Sequence, residues 1–206
     1  IKHLLRINKV RFGLIYIQIS RGIANRDHSF YKSKLFPVLV ITVKRFKNDF
    51  QQSIEPINTI TLKDTRWLNA NIKTIQLLPN ALAKTKAKSK NADEAIFVDY
   101  SDYITEGASS NVWILTHKNI LKTRNLDGSI LPGITRNTIL KCAKKNKISV
   151  REEKFKIDDL YNAKEVFITS ASSFVTPVKK VNETLINNGN TGYFANKLRI
   201  EYFNFN

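Results

Sequence analysis

Lys73 lies in the stretch NIKTIQLLPN, residues 71–80, among neighbours that are mostly apolar. Burial among such neighbours would strip water from the amine, lower its pKa and expose the lone pair that attacks a carbonyl carbon. The stretch therefore offers an amine for covalent catalysis. The alternative is a surface lysine whose ammonium reaches past the aliphatic groups to water. The aliphatic residues concerned are Ile72, Ile75, Leu77 and Leu78.

Glu106 lies in TEGASSN, residues 105–111, which we place in the polar segment between two predicted strands. A carboxylate beside small residues could hold a ring nitrogen in its protonated form, as a cofactor that acts as an electron sink requires. The alternative interpretation is an ordinary turn glutamate.

Two stretches could receive a phosphate group. ILPGITRN, residues 130–137, puts Gly133 just before a predicted helix and Thr135 where it could cap that helix, so backbone N–H groups and a hydroxyl would face one spot. TSASS, residues 169–173, brings small hydroxyl side chains to the end of an apolar strand. The alternatives are a helix cap and a turn with nothing bound.

NRDH, residues 25–28, offers Arg26 and His28 in one loop. A guanidinium fits a carboxylate in a forked geometry and a histidine can donate a further hydrogen bond, although a solvated loop pair is the alternative. One cysteine and three scattered histidines provide no zinc spacing, so no metal site is predicted. The remaining groups are an amine, an acid, a phosphate cradle and a carboxylate clamp, which are the parts that a pyridoxal phosphate site needs.

Composition narrows the class of protein. The chain has 206 residues, 42% of them hydrophobic, and its single cysteine, Cys142, excludes a disulfide framework and favours a cytosolic compartment. We see no apolar run of membrane-spanning length and no signal-peptide pattern. The net charge of +17 raises the question of nucleic acid, but the basic residues are spread along the chain, so we interpret them as solvated and expect no nucleic-acid partner.

Strands and helices must position these groups. Hydrophobic patterning predicts strands in GLIYIQISRG, LFPVLVITVKRF, EAIFVDY, SNVWILTH, ISVREEKFK and VFITS. It predicts helices in NIKTIQLLPNALAKTKAKSK, TRNTILKCAKKNK, DDLYNAKE and YFANKLRIEYF, and a linker in KNDFQQSIEPIN. The two types are mixed along the chain without strict alternation.

Six stretches, in this order, resemble the fold-type IV pyridoxal phosphate enzymes (class IV aminotransferases), within them the D-amino-acid transaminase branch. They are YIQISRGIANRDHSF, DTRWLNANIKTIQLLPNALAK, ADEAIFVDYSDYITEGASSNVWIL, ILPGITRNTIL, EVFITSASSFVTPV and NNGNTGYFANKLRIEY. The resemblance spans nearly the whole chain.

The resemblance assigns roles to residues. Lys73 would hold the cofactor covalently and move a proton between the substrate Cα and the cofactor, and Glu106 would pair with the pyridine nitrogen. Leu131 would pack against the ring, and Arg26 with His28 would bind the substrate carboxylate. The phosphate would be bound by Ile134 and Thr135 on one side and by Ser170 and Ala171 on the other.

The resemblance also implies an α/β fold with the remainder of a small lobe in residues 1–50 and a large cofactor-binding lobe in residues 51–206. It implies a homodimer that exchanges the amino group of D-alanine with 2-oxoglutarate. A branched-chain aminotransferase and an aminodeoxychorismate lyase share most of these residues and stay open, as does an inactive remnant. Family members carry a further small-lobe segment, with a phosphate-binding arginine and a clamp tyrosine, and we expect such a segment to precede residue 1.

Overall fold

A computed structural model describes residues 1–30, 34–46 and 55–205. They form two compact units, Ile1–Gln52 and Ser53–Asn206. The domain boundary predicted near residue 50 and most of the predicted linker lie outside the described residues.

The first unit contains a short helix and a two-stranded antiparallel sheet. Helix α1 spans Lys2–Ile7, strand β1 spans Gly13–Ser20 and strand β2 spans Val38–Arg45. Both predicted strands are confirmed, and Ile17 lies opposite Ile41 in their register.

The second unit is built around one mixed sheet, to which nine strands contribute in the described residues. Its strands are β3 (Ile57–Lys63), β4 (Glu94–Val98), β5 (Ile104–Gly107), β6 (Asn111–Leu115), β7 (Leu121–Thr123), β8 (Val150–Glu152), β9 (Glu165–Ser170), β10 (Phe174–Val181) and β11 (Thr184–Leu185). Their order across the sheet is β5-β4-β3-β10-β9-β6-β7-β8, with β11 paired to β10. The helices are α2 (Leu78–Ser89), α3 (Ile134–Lys145), α4 (Ile157–Tyr161) and α5 (Tyr193–Phe203). Within the described residues, no helix combines the length and the apolar character that crossing a bilayer requires.

The central strands are buried on both faces, which explains their continuous apolar sequences. Along β6, Val112 and Ile114 join one hydrophobic cluster, whereas Trp113 and Leu115 join another on the opposite face. The Trp113 ring stacks on Phe167 of β9 with centroids 5.7 Å apart. The sheet therefore separates two closely packed hydrophobic cores.

The carboxylate of Glu165 fixes helix α5 to the sheet. Glu165 of β9 accepts hydrogen bonds from the backbone N–H groups of Phe194 (3.1 Å) and Ala195 (3.0 Å) at the start of the helix. A negative charge at this end of a helix also matches the helix dipole.

The helix predicted across residues 71–90 is shorter than expected. Helix α2 begins at Leu78, and Pro79 occupies its first turn. Proline is favoured in that turn, but it has no N–H group to donate to the carbonyl oxygen four residues earlier, so the helix does not extend back through the stretch that contains Lys73.

The strand prediction also needs correction. The polar stretch SDYITEGAS was expected to be a connection, yet residues Ile104–Gly107 form β5 and pair with β4. The predicted linker ends too late, because its last two residues, Ile57 and Asn58, open β3. Strands β3, β7, β10 and β11 were not predicted.

Candidate active site

Glu106 lies on strand β5, not in the turn that the sequence suggested. It is only 6% exposed. Its Oε1 atom forms an ion pair with the guanidinium of Arg66, and its Oε2 atom accepts hydrogen bonds from the backbone N–H of Leu131 (3.0 Å) and from Asn111 Nδ2 (3.0 Å). The protein therefore fixes the direction of this carboxylate.

Burial raises the pKa of Glu106 to about 7, although the charge of Arg66 and the hydrogen bond from Leu131 act in the opposite direction. A carboxyl group with such a pKa is close to balanced between its two protonation states at neutral pH. A cation placed against it would favour the ionised form.

Arg66 connects Glu106 to a second acid. Its Nη2 atom donates to Asp64 Oδ2 at 2.7 Å and to the carbonyl oxygen of Ser129 at 3.0 Å. The guanidinium also lies over the ring of Phe97, 4.8 Å from its centroid. A buried guanidinium with these partners is held in one orientation.

Asp64 completes the charge pattern. Thr105 Oγ1 donates to its Oδ2 atom at 2.7 Å. Burial alone would raise the pKa of Asp64, but the hydrogen bonds and charge of Arg66, together with the Thr105 hydroxyl, outweigh burial and lower the pKa. Arg66 thus pairs with two acids, Asp64 with a lowered pKa and Glu106 with a raised one.

The start of helix α3 differs from the predicted cap. Gly133 occupies the N-cap position, and no side chain makes a capping hydrogen bond there. Thr135 is inside the helix and 3% exposed, so it does not cap the helix as the sequence suggested. Ile134 is exposed. Because an uncapped helix start presents backbone N–H groups and a partial positive charge, this place suits an anion such as phosphate.

Ser170 and Ala171 lie where β9 turns into β10. The Ser170 hydroxyl accepts a hydrogen bond from the N–H of Ser173 (3.1 Å) and lies 2.6 Å from the Ser173 hydroxyl. Arg199 of α5 donates to the carbonyl oxygens of Ser173 (3.1 Å) and Val175 (2.9 Å) and so holds the turn against the helix.

The sheet brings these places together. Asn111 lies opposite Thr169 in the β6–β9 pairing, which puts Ser170 one residue beyond it. The same Asn111 donates to Glu106 and to the carbonyl oxygen of Leu131, 2.9 Å away. Glu106, Leu131, the start of α3 and the end of β9 are therefore parts of one connected region.

Lys73 is exposed, which contradicts the dry environment expected from its neighbours. Those neighbours, Ile72, Ile75, Leu77 and Leu78, are themselves exposed and do not enclose the amine. The segment that carries Lys73 is nevertheless anchored. Arg66 ties its beginning to Glu106, and the N–H of Asn71 donates to the carbonyl oxygen of Gly128 at 3.2 Å.

Arg26 and His28 lie in the first unit, after β1, and both are exposed. Their assignment to a carboxylate clamp stays a prediction.

Sequence reasoning gave no role to Asp64, Arg66 or Asn111. DTRW, residues 64–67, directly follows the β-branched stretch of β3, and an acid two residues before an arginine at the end of a buried strand is a signal for a buried ion pair. Asn111 opens an apolar strand, where a polar side chain has to find partners inside the protein.

The chain is similar to known proteins over most of its length. Residues 1–181 match the family model described as amino-transferase class IV. The D-alanine aminotransferase of Staphylococcus haemolyticus is 38% identical over 204 residues, which cover 99% of this chain and 71% of that protein. The D-alanine aminotransferase of Listeria monocytogenes serotype 4b is 37% identical over 207 residues, covering 98% of this chain and 70% of that protein.

Solved structures show the same architecture. The branched-chain amino acid aminotransferase of Escherichia coli superposes with a TM-score of 0.84 at 26% identity, covering 99% of this chain and 69% of that one. The mixed α/β fold is accordingly the fold-type IV fold that the sequence resemblance implied. The chain is an enzyme of the class IV aminotransferase family.

Proposed function

We propose that the chain is a pyridoxal-phosphate-dependent D-amino-acid transaminase that exchanges the amino group of D-alanine with 2-oxoglutarate. The observation that carries the proposal is the buried Glu106 carboxylate, aimed by Arg66, Leu131 and Asn111 and balanced near neutral pH. The relatives from Staphylococcus and Listeria at 37–38% identity are named D-alanine aminotransferases, which supports this choice of substrate.

The residues present fit the cofactor. An acid beside an arginine suits a protonated ring nitrogen, and the uncapped start of α3 with the Ser170 turn suits a phosphate. When bound, pyridoxal phosphate accepts the electron pair that the substrate Cα keeps after its proton has left.

In this proposal the protonated ring nitrogen lowers the pKa of the Glu106 carboxyl group, so Glu106 is ionised beside it. The carboxylate in turn stabilises the positive charge on the nitrogen, and Arg66 holds Oε1 in place. Leu131 packs against one face of the ring, while the N–H groups of Ile134 and Thr135 bind the phosphate. Ser170 and the backbone of Ala171 bind its other side.

Lys73 would take the proton from the substrate Cα and pass it to the cofactor, and in the second half-reaction it would move a proton from the cofactor to the Cα of the new amino acid. Arg26 and His28 bind the substrate carboxylate. We also expect a homodimer in the cytosol, as the resemblance implies.

The test begins with the visible spectrum of the purified protein mixed with pyridoxal phosphate. We expect an absorbance band that borohydride fixes as a covalent adduct, and peptide mapping should locate the adduct on Lys73. Lys73→Ala should abolish the adduct, whereas Lys118→Ala, at an exposed lysine in the β6–β7 turn, should leave it unchanged.

Turnover then identifies the substrate. The proposal predicts amino transfer from D-alanine to 2-oxoglutarate that is lost in Lys73→Ala. Transfer from L-leucine alone would assign the chain to branched-chain amino acids, and cleavage of aminodeoxychorismate would assign it to the lyases. A wild-type protein that forms no adduct and transfers no amino group would contradict the proposed function.

A further inference from the structure

Asn111 connects three parts of the candidate site. It is the first residue of β6 and is 4% exposed. One amide group, Nδ2, donates both to Glu106 Oε2 at 3.0 Å and to the carbonyl oxygen of Leu131 at 2.9 Å. A primary amide has two N–H bonds, and these contacts engage both.

The oxygen atom of the same amide, Asn111 Oδ1, limits the size of the residue at position 133, at the start of α3. A Cβ atom added to Gly133 would lie 2.4 Å from Asn111 Oδ1, which is closer than any real contact of this type. The φ angle of Gly133 is −62°, so the glycine is needed for space and not for its backbone conformation. The N-cap of α3 therefore rests directly on the Asn111 side chain.

A second link runs beside the first. The N–H of Leu131 donates to the same Glu106 Oε2 atom at 3.0 Å, so the loop Leu131–Gly133 is joined to the carboxylate both directly and through Asn111. The backbone of Asn111 meanwhile pairs with Thr169, the residue before Ser170. Buried bonds of this kind hold their partners in one arrangement because breaking them leaves polar groups without water.

We propose that Asn111 is a positioning residue that sets the distance between the Glu106 carboxylate and the N-terminus of α3. The proposal rests on the proposed function for its consequence, because those two places would hold opposite ends of pyridoxal phosphate. Asn111 does not touch the reacting atoms; it fits the spacing of the site to the length of the cofactor.

The first test uses the protein without cofactor. Asn111→Ala removes both donated bonds and the contact with Gly133, and leaves the bond from Leu131 in place. Amide hydrogen exchange should become about tenfold faster or more in residues 131–137, since losing one buried hydrogen bond costs on the order of 1.4 kcal/mol. Unchanged exchange in this segment would overturn the proposal.

A matched control separates positioning from a general loss of stability. Asn182 also uses Nδ2 twice, donating to Thr61 Oγ1 at 2.8 Å and to the Tyr161 hydroxyl at 2.6 Å. Asn111→Asp and Asn182→Asp preserve the side-chain shape and both alter a bridging amide. Only Asn111→Asp should speed exchange in residues 131–137, and equal effects of the two variants would overturn the proposal.

The second readout is the affinity for pyridoxal phosphate and its dependence on pH. In Asn111→Asp the new carboxyl group faces Glu106, and it can donate a hydrogen bond only when it is protonated. The affinity of this variant, relative to wild type, should therefore recover as the pH falls from about 8 to about 6. Asn182→Asp should show a constant ratio.

The outcomes distinguish the two proposals. A wild-type protein without a covalent adduct contradicts the proposed function, while hydrogen exchange in the cofactor-free protein still decides the role of Asn111. A normal wild-type adduct, together with wild-type affinity and exchange in both Asn111 variants, overturns the role of Asn111 alone.

Discussion

The guanidinium of Arg66 lies against the carboxylate of Glu106 inside the second unit, and both side chains are almost completely buried. Arg66 also pairs with Asp64, so one cation serves two acids. Asp64 is held ionised with a lowered pKa, whereas burial leaves the pKa of Glu106 at about 7. This unequal sharing makes Glu106 the acid that responds to a further positive charge.

Replacing Arg66 should shift Glu106 towards its neutral form. Arg66→Met keeps a long apolar stem over Phe97 but removes the charge, so the pKa of Glu106 should rise above about 7. The free energy of unfolding should fall by about 3 kcal/mol, because removing one partner of a buried pair leaves the other uncompensated. Carbon-13 NMR of labelled glutamate, assigned with Glu106→Gln, measures the pKa. Arg151→Met, at an exposed position, is the control, and an unchanged Glu106 pKa would show that Arg66 does not set it.

The stability of the cofactor-free protein should depend on pH through Glu106. Its pKa is about 7 in the folded protein against 4.5 when unperturbed, so between these values the folded state binds more protons than the unfolded state. The free energy of unfolding should therefore fall as the pH rises through this window, by up to about 3 kcal/mol. The stabilising contribution is complete below the unfolded pKa and is lost above the folded one.

Urea unfolding of wild type and Glu106→Gln across this pH range checks the expectation. Glu106→Gln should lack the fall, since an amide does not titrate. Asp64 acts in the opposite direction, but its lowered pKa places its effect at more acidic pH. Parallel pH profiles for the two proteins would contradict the assignment.

Arg199 should stabilise the turn that contains Ser170 and Ala171. Arg199→Met removes the hydrogen bonds to the carbonyl oxygens of Ser173 and Val175, so we expect the free energy of unfolding to fall by about 2 kcal/mol. The affinity for pyridoxal phosphate should fall with it, and Lys197→Met on the same helix is the control. Equal affinities in the two variants would place the turn outside the phosphate site.

The sequence predicts the apolar strands better than the polar ones. The pattern predicts buried strands in EAIFV, NVWIL and VFITS, because a short continuous apolar run is typical of a strand that is buried on both faces of a sheet. Strand β5 was missed because its sequence, ITEG, carries Thr105 and Glu106, whose burial depends on distant partners. Local patterns do not record that Asp64 and Arg66 supply those partners.

The same limit applies to the site. The sequence singled out Glu106 and the loop before α3, and the structure joins them through the hydrogen bond from Leu131. The dry environment expected for Lys73 was wrong, because apolar neighbours in sequence need not pack around a side chain. The cap of α3 was wrong for a related reason. Gly133 occupies the N-cap because Asn111 leaves room for nothing larger, and that contact joins residues 22 positions apart.

The attachment of α5 has a consequence for synthesis. Phe174 adopts a φ of 58°, a left-handed backbone that a bulky residue seldom takes without support, and Arg199 binds the carbonyl oxygens on either side of it. The Glu165 carboxylate likewise gains its two hydrogen bonds only when the N–H groups of residues 194 and 195 are present. Since a nascent chain emerges in order, the turn after β9 can settle into its final shape only once residues 193–203 have left the ribosome.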